Sequence, residues 1–155
     1  IPVSRRLFVM KISTKGRYAL RVMIDLAQQN PEEYTSLKDI AKRQQISNKY
    51  LEMIVALLSK GGLLISLRGK SGGYRLAKSP TEYTVWDIIT LTEGSLAPVS
   101  CIEATPNQCE LSSVCKTLPM WQELYRRIKE YLQSVTLQDL LDNQDTNLMG
   151  DDYCI

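Results

Sequence analysis

Three cysteines, Cys101, Cys109 and Cys115, fall within one short stretch, separated by seven and then five residues. Free cysteines in a reducing compartment are usually scattered and buried, so three in one loop read as ligands or redox-active thiols. Thiolates are soft donors that suit iron–sulfur clusters or zinc. Reversible oxidation of Cys109 or Cys115 is the competing chemistry. The chain contains no histidine, which excludes a Ser-His-Asp triad, a Cys-His pair and a mixed Cys/His zinc finger. A cysteine nucleophile would lack a ready base, so an enzyme is not expected. A second stretch, Arg68-Gly-Lys-Ser-Gly-Gly73, sets two cations in a glycine-rich turn. Glycines there allow close approach to a phosphate backbone. The order of a nucleotide-binding P-loop is missing, and no helix opens directly behind it.

The elements that must carry these groups follow from caps and periodicity. Ser13 reads as an N-cap, and Ala19, Val22, Met23, Leu26 and Ala27 recur at helical spacing, predicting a helix over about 14–29. Lys15, Arg17 and Arg21 lie off that stripe, and Asn30-Pro31 ends the helix. Ser36-Leu-Lys-Asp39 starts a short helix with Leu37, Ile40 and Ala41 inward. After a break at Gln44 to Ile46, Ser47 caps a third helix with Leu51, Ile54, Val55 and Leu58 inward, and Gly61-Gly62 closes it. This is a helix-turn-helix pattern. Leu63 to Leu67 and Tyr74 to Ala77 read as strands around the basic turn, which makes the hairpin a wing. The fold class expected is therefore mostly α with a small β wing.

Val85 to Glu93 reads as a further helix, and residues 94–118 as an ordered loop. Pro119 opens a longer helix with Met120, Trp121, Leu124, Ile128, Leu132 and Val135 along one face. Such a stripe needs a partner, and a two-fold-related copy is the economical one. A short helix around Leu137 to Leu141 and an acidic tail follow. The expected organisation is a winged helix-turn-helix domain over 10–93, a cysteine loop over 94–118, a dimerisation helix region over 119–143 and a tail over 144–155. Residues 1–9, ahead of Met10, show no periodicity and are set aside.

Charge agrees with a nucleic-acid partner. Residues 1–80 hold 15 Lys/Arg against 5 Asp/Glu, whereas residues 81–155 hold 4 against 12, so a strongly basic half adjoins an acidic one. No apolar run could cross a membrane, and the start lacks the order of a signal peptide, so a cytoplasmic protein is expected. On the third helix, Asn48, Lys49 and Glu52 point away from the core stripe and can reach base edges, with Glu accepting from cytosine N4. Tyr50 is a candidate for a phosphate hydrogen bond or for packing beneath the helix. Lys15, Arg17, Lys70 and Arg75 are candidate phosphate contacts.

The stretches Met10-Lys-Ile-Ser-Thr-Lys-Gly-Arg-Tyr-Ala-Leu20, Ile46-Ser-Asn-Lys-Tyr-Leu-Glu52 and Arg68-Gly-Lys-Ser-Gly-Gly-Tyr74 resemble the Rrf-two family of bacterial winged-helix transcription regulators. Thr136-Leu-Gln-Asp-Leu-Leu-Asp-Asn-Gln144 resembles the family's end, so the likeness covers residues 10–146. It implies a homodimer with crossed long helices on a pseudo-palindromic operator, with Arg68 entering the minor groove, where negative potential favours a guanidinium. It also implies an iron–sulfur cluster on Cys101, Cys109 and Cys115, of the 2Fe–2S type in IscR-like members and 4Fe–4S in NsrR-like ones; the 2Fe–2S form is the expectation here. The chain departs from both patterns: the fourth ligand would fall at Leu118 or at Arg17, neither of which coordinates. Glu103, Glu110, Cys154 or a small thiol are the alternatives.

CymR-like members, which regulate cysteine metabolism, resemble the chain at Gly94-Ser-Leu-Ala-Pro-Val99. They imply a cluster-free alternative governed by thiol oxidation or by cysteine synthase. The end Asp151-Asp-Tyr-Cys-Ile155 resembles the serine acetyltransferase tail that plugs cysteine synthase, which makes that enzyme a candidate partner.

Overall fold

The computed structural model describes residues 11–146. The first nine residues, Met10 and the tail from 147 onward, including Cys154 and Ile155, lie outside the described residues. The described chain forms six helices and a two-stranded antiparallel sheet. In order these are α1 (Thr14–Ala27), α2 (Leu37–Gln44), α3 (Asn48–Lys60), β1 (Leu64–Leu67), β2 (Gly73–Leu76), α4 (Val85–Glu93), α5 (Leu118–Ser134) and α6 (Leu137–Thr146).

The capping serines act as their spacing predicts. Ser13, Ser36 and Ser47 accept from the amides of Gly16, Asp39 and Tyr50, each satisfying a donor that the first helical turn leaves unpaired. Between α2 and α3, Gln45 adopts a left-handed backbone (φ 55°), which turns the chain sharply enough to make the helix-turn-helix. The inward residues Ala19, Val22, Met23, Ile40, Leu51, Ile54, Val55 and Leu58 form one buried core. Burying each larger aliphatic side chain contributes about 1.5–3 kcal/mol.

A partly buried ion pair joins α1 to α2. Asp25 is only 2% exposed, and its carboxylate accepts from Arg43 Nε (2.9 Å) and Nη2 (2.8 Å) and from Gln44 Nε2 (3.0 Å). The Asp25 carboxylate, bonded to Arg43 and beside it, raises the arginine's pKa above its ordinary value. Arg21 on α1 reinforces the joint, donating to the Gln44 side chain (3.2 Å) and backbone carbonyl.

The hairpin pairs Leu64 with Leu76 and Leu67 with Gly73, and Tyr74 exchanges two backbone hydrogen bonds with Thr35 (2.9 and 2.8 Å). The wing is thus tied to the segment before α2.

Two contacts close the fold across long stretches of chain. Glu93, the last residue of α4, accepts from both the amide (3.0 Å) and hydroxyl (2.5 Å) of Ser13, so a carboxylate sits at the N-terminus of α1, where the helix dipole favours it. Leu137 of α6 is fully buried in the α1–α3 core, its amide donating to the Tyr83 carbonyl (2.9 Å). The short final helix expected near 137–141 is therefore longer, and it belongs to the same core. Tyr83 is itself 1% exposed, and its hydroxyl donates to the Leu63 carbonyl (2.8 Å) while accepting from the Lys78 amide (2.8 Å). Burial pushes this phenol above its usual range.

By contrast, α5 has no buried residue in 17. Met120 and Tyr131 are exposed, while Trp121, Leu124, Ile128 and Leu132 are half-covered.

Candidate nucleic-acid interface and cysteine loop

The outward face of α3 presents Asn48, Lys49 and Glu52, all exposed and one turn or less apart. Met53, 48% exposed, and Ala56 continue that face. Sequence reasoning named the polar members and passed over Met53, although its position opposite the Leu51–Val55–Leu58 stripe was readable from the helical period.

Arg68 and Lys70 are both exposed at the wing tip. The turn that holds them requires glycine. Gly69 has φ +111°, and its carbonyl accepts from the Gly72 amide at 3.0 Å. A Cβ on Gly72 would meet the Leu67 carbonyl oxygen at 2.2 Å.

The remaining candidate cations divide. Lys15 and Arg17 occupy the first turn of α1, where Arg17 donates to the Thr14 hydroxyl (3.1 Å). Arg75 is half-buried and held by the loop after α1. Its Nη1 donates to the Pro31 carbonyl (3.3 Å), its guanidinium lies 4.8 Å from the Tyr34 ring centre, and Glu32 stands 4.0 Å away. Tyr50 is half-buried and packs edge-on against Tyr18 (5.8 Å between ring centres), with Arg21 over the other ring at 4.9 Å. The ring contact with Tyr18 accounts for the packing of Tyr50.

In the loop between α4 and α5 the three cysteines are free and half-buried. Cys101 lies in a 3₁₀ turn, Ser100–Ile102. The Cys109 amide donates to the Asn107 side chain (2.8 Å). Cys115 lies 3.4 Å from the Thr117 hydroxyl, at the start of α5. The hydroxyl and the amides of Thr117 and Leu118 hold its thiol below the ordinary cysteine range. Among the described residues, no three Cys, Asp or Glu side chains converge so as to hold a metal ion.

A helix-turn-helix followed by a glycine-rich basic hairpin, with an uncovered long helix behind it, defines the winged-helix class of transcription regulators. Comparison places the chain within that class: residues 12–143 match the Rrf2 family model, described as an iron-dependent transcriptional regulator. The chain belongs to the Rrf2 family. It is 43% identical over 137 residues to the HTH-type transcriptional regulator CymR of Bacillus subtilis, covering 88% of this chain and 93% of the relative. It is 37% identical over 142 residues to IscR of Serratia proteamaculans, covering 92% and 85%. The solved structure of CymR, titled the global cysteine regulator of B. subtilis, superposes with a TM-score of 0.70 at 41% identity, over 86% of this chain and 97% of that one. No helix among the described residues is long and apolar enough to cross a membrane.

Proposed function

We propose that the protein is a homodimeric repressor that reads a pseudo-palindromic operator with α3 and clamps it with the wing. The observation that carries this reading is the exposed set Asn48, Lys49 and Glu52 on α3, accompanied by the exposed wing cations Arg68 and Lys70. Lys15 and Arg17 add phosphate contacts at the N-terminus of α1. Dimerisation through α5 is supported by its apolar stripe and the lack of any buried residue along it. Residues 10–93 are then the DNA-binding part, 94–118 the sensor loop and 119–143 the dimer region.

Fluorescence anisotropy with a duplex from upstream of the protein's own gene tests the reading. Binding should weaken steeply with salt, because neutralised phosphates release counterions. Replacing Arg68 with Ala should cost about 1–3 kcal/mol. Parent-like affinity in that variant overturns the wing assignment.

The sensor we infer is the cysteine loop acting through thiol chemistry, supported by the hydrogen-bonded Cys115 thiol and by the likeness to a CymR structure from Staphylococcus aureus titled as the oxidized form. The 2Fe–2S reading on Cys101, Cys109 and Cys115 is favoured by a different observation, the family's description as iron-dependent. Anaerobic purification separates the two. A brown protein with iron and sulfide in near-equal amounts supports the cluster; a colourless preparation that resists reconstitution removes it. Cysteine synthase as a partner of residues 146–155 is tested by titrating the enzyme with that peptide, with and without Ile155.

A further inference from the structure

The outward face of α3 carries one large apolar side chain that stands half exposed. Met53 is 48% exposed, while Leu51, Ile54, Val55 and Leu58 on the opposite face are fully buried. A lone surface methionine ordinarily requires no explanation. The neighbours of this one supply a reason. Lys49, Met53, Ala56 and Lys60 recur at four, three and four residues, which sets them along a single line on the helix, and all four are exposed. At about 1.5 Å of rise per residue, the two lysines stand about 16 Å apart. That span matches a major groove about 12 Å wide together with part of its phosphate walls. The line is thus cationic at both ends, with Lys49 among the base-facing residues at the helix start and Lys60 towards a phosphate wall, and apolar over the groove floor between them.

The major-groove floor offers one apolar group, the 5-methyl of thymine. We propose that Met53 is a specificity-determining residue that packs on a thymine methyl in each half-site. The proposal rests on the DNA-binding reading above and deepens it by naming a base. Methionine suits the role because its unbranched, polarisable thioether adapts to a small apolar target. The polar candidates Asn48 and Glu52 then supply hydrogen bonds beside a contact that itself makes none.

The probe is a duplex selected by the full chain from a pool randomised over about 25 base pairs, enough for two half-sites one turn apart. Each thymine of the winning sequence is then replaced singly by deoxyuridine, which deletes only the methyl. At one thymine per half-site the parent should bind about fourfold more weakly, the worth of one buried methyl. Met53→Ala should bind the thymine and deoxyuridine duplexes alike at that position. Met53→Gln, offering a bidentate amide, should shift the selected base towards adenine. Indifference of the parent to every deoxyuridine, or the same penalty in parent and Met53→Ala, overturns the assignment. These results leave the DNA-binding reading standing if a sequence is enriched and binding depends on salt. Failure to retain any duplex at low salt overturns that reading and the Met53 assignment together.

Discussion

Replacing Asp25 with Ala should loosen the joint on which the helix-turn-helix depends. The carboxylate accepts three hydrogen bonds, two of them from the Arg43 guanidinium at 2.9 and 2.8 Å. Charge-assisted bonds of this kind are each worth about 1.5–3 kcal/mol, which gives about 3–6 kcal/mol for the arginine pair before corrections. The Arg43 side chain is 39% exposed, so the freed guanidinium would recover water, and the figure must be discounted for that screening. Asp25 is 3% exposed at its side chain, and its removal also relieves a desolvation cost. The net expectation is a loss of about 2–4 kcal/mol, or roughly 6–15 °C in Tm for a domain of this size. Urea denaturation followed by circular dichroism measures it. Arg43→Ala and the double variant complete a cycle whose coupling energy should be about 1–3 kcal/mol. Asp25→Asn, which keeps the shape and loses the charge, should fall between parent and Asp25→Ala. A loss below about 0.5 kcal/mol, or full additivity in the cycle, would refute the claim that this pair ties α1 to α2.

Gly73→Ala should detach the wing, because a Cβ there would stand 2.1 Å from the Thr35 carbonyl oxygen; limited proteolysis should cut the 63–77 hairpin faster than in the parent. Tyr83→Phe should cost about 1–3 kcal/mol by leaving the Lys78 amide unpaired and the Leu63 carbonyl with only its longer bond from the Ala77 amide (3.3 Å), read as a lowered urea midpoint. Because the folded phenol has its pKa raised, its contribution is fully present below the unfolded value near 10 and is lost as pH rises past it. Thermal melts from pH 8 to 11 should accordingly fall more steeply for the parent than for Tyr83→Phe. Cys115 should be alkylated by iodoacetamide at a lower pH than the cysteine of an unstructured control peptide, which mass spectrometry of timed samples can resolve.

The helices and wing were legible because their signals are local. Ser13, Ser36 and Ser47 each stand immediately before an apolar stripe, and each caps the helix that follows. The α4 limits, Val85 and Glu93, and the end of β1 at Leu67 agree with the expectation, and the other three strand limits differ from it by one residue. What local pattern does not carry is pairing across the chain. Nothing near Glu93 announces that its carboxylate receives Ser13, 80 positions earlier. The burial of Tyr83 and Leu137 likewise depends on packing partners from distant segments. Arg75 shows the same limit at the candidate interface. Its place on a basic wing suggested phosphate, and the ring of Tyr34 and the carbonyl of Pro31, which hold it, come from the loop after α1.

The return of α6 has a consequence for how the protein is made. Leu137 fills the core built by α1 and α3, and Thr136 pairs with Thr84 beside it. Synthesis proceeds from the N-terminus, so the helix-turn-helix and wing leave the ribosome well before the residue that completes their interior. Until then the nascent module exposes part of its apolar surface, the situation in which contacts between distant segments slow folding and invite aggregation. A fragment ending after the wing should inherit that open core permanently. The final helix is in this sense a timing element, coupling a finished DNA-binding surface to a chain translated through α5.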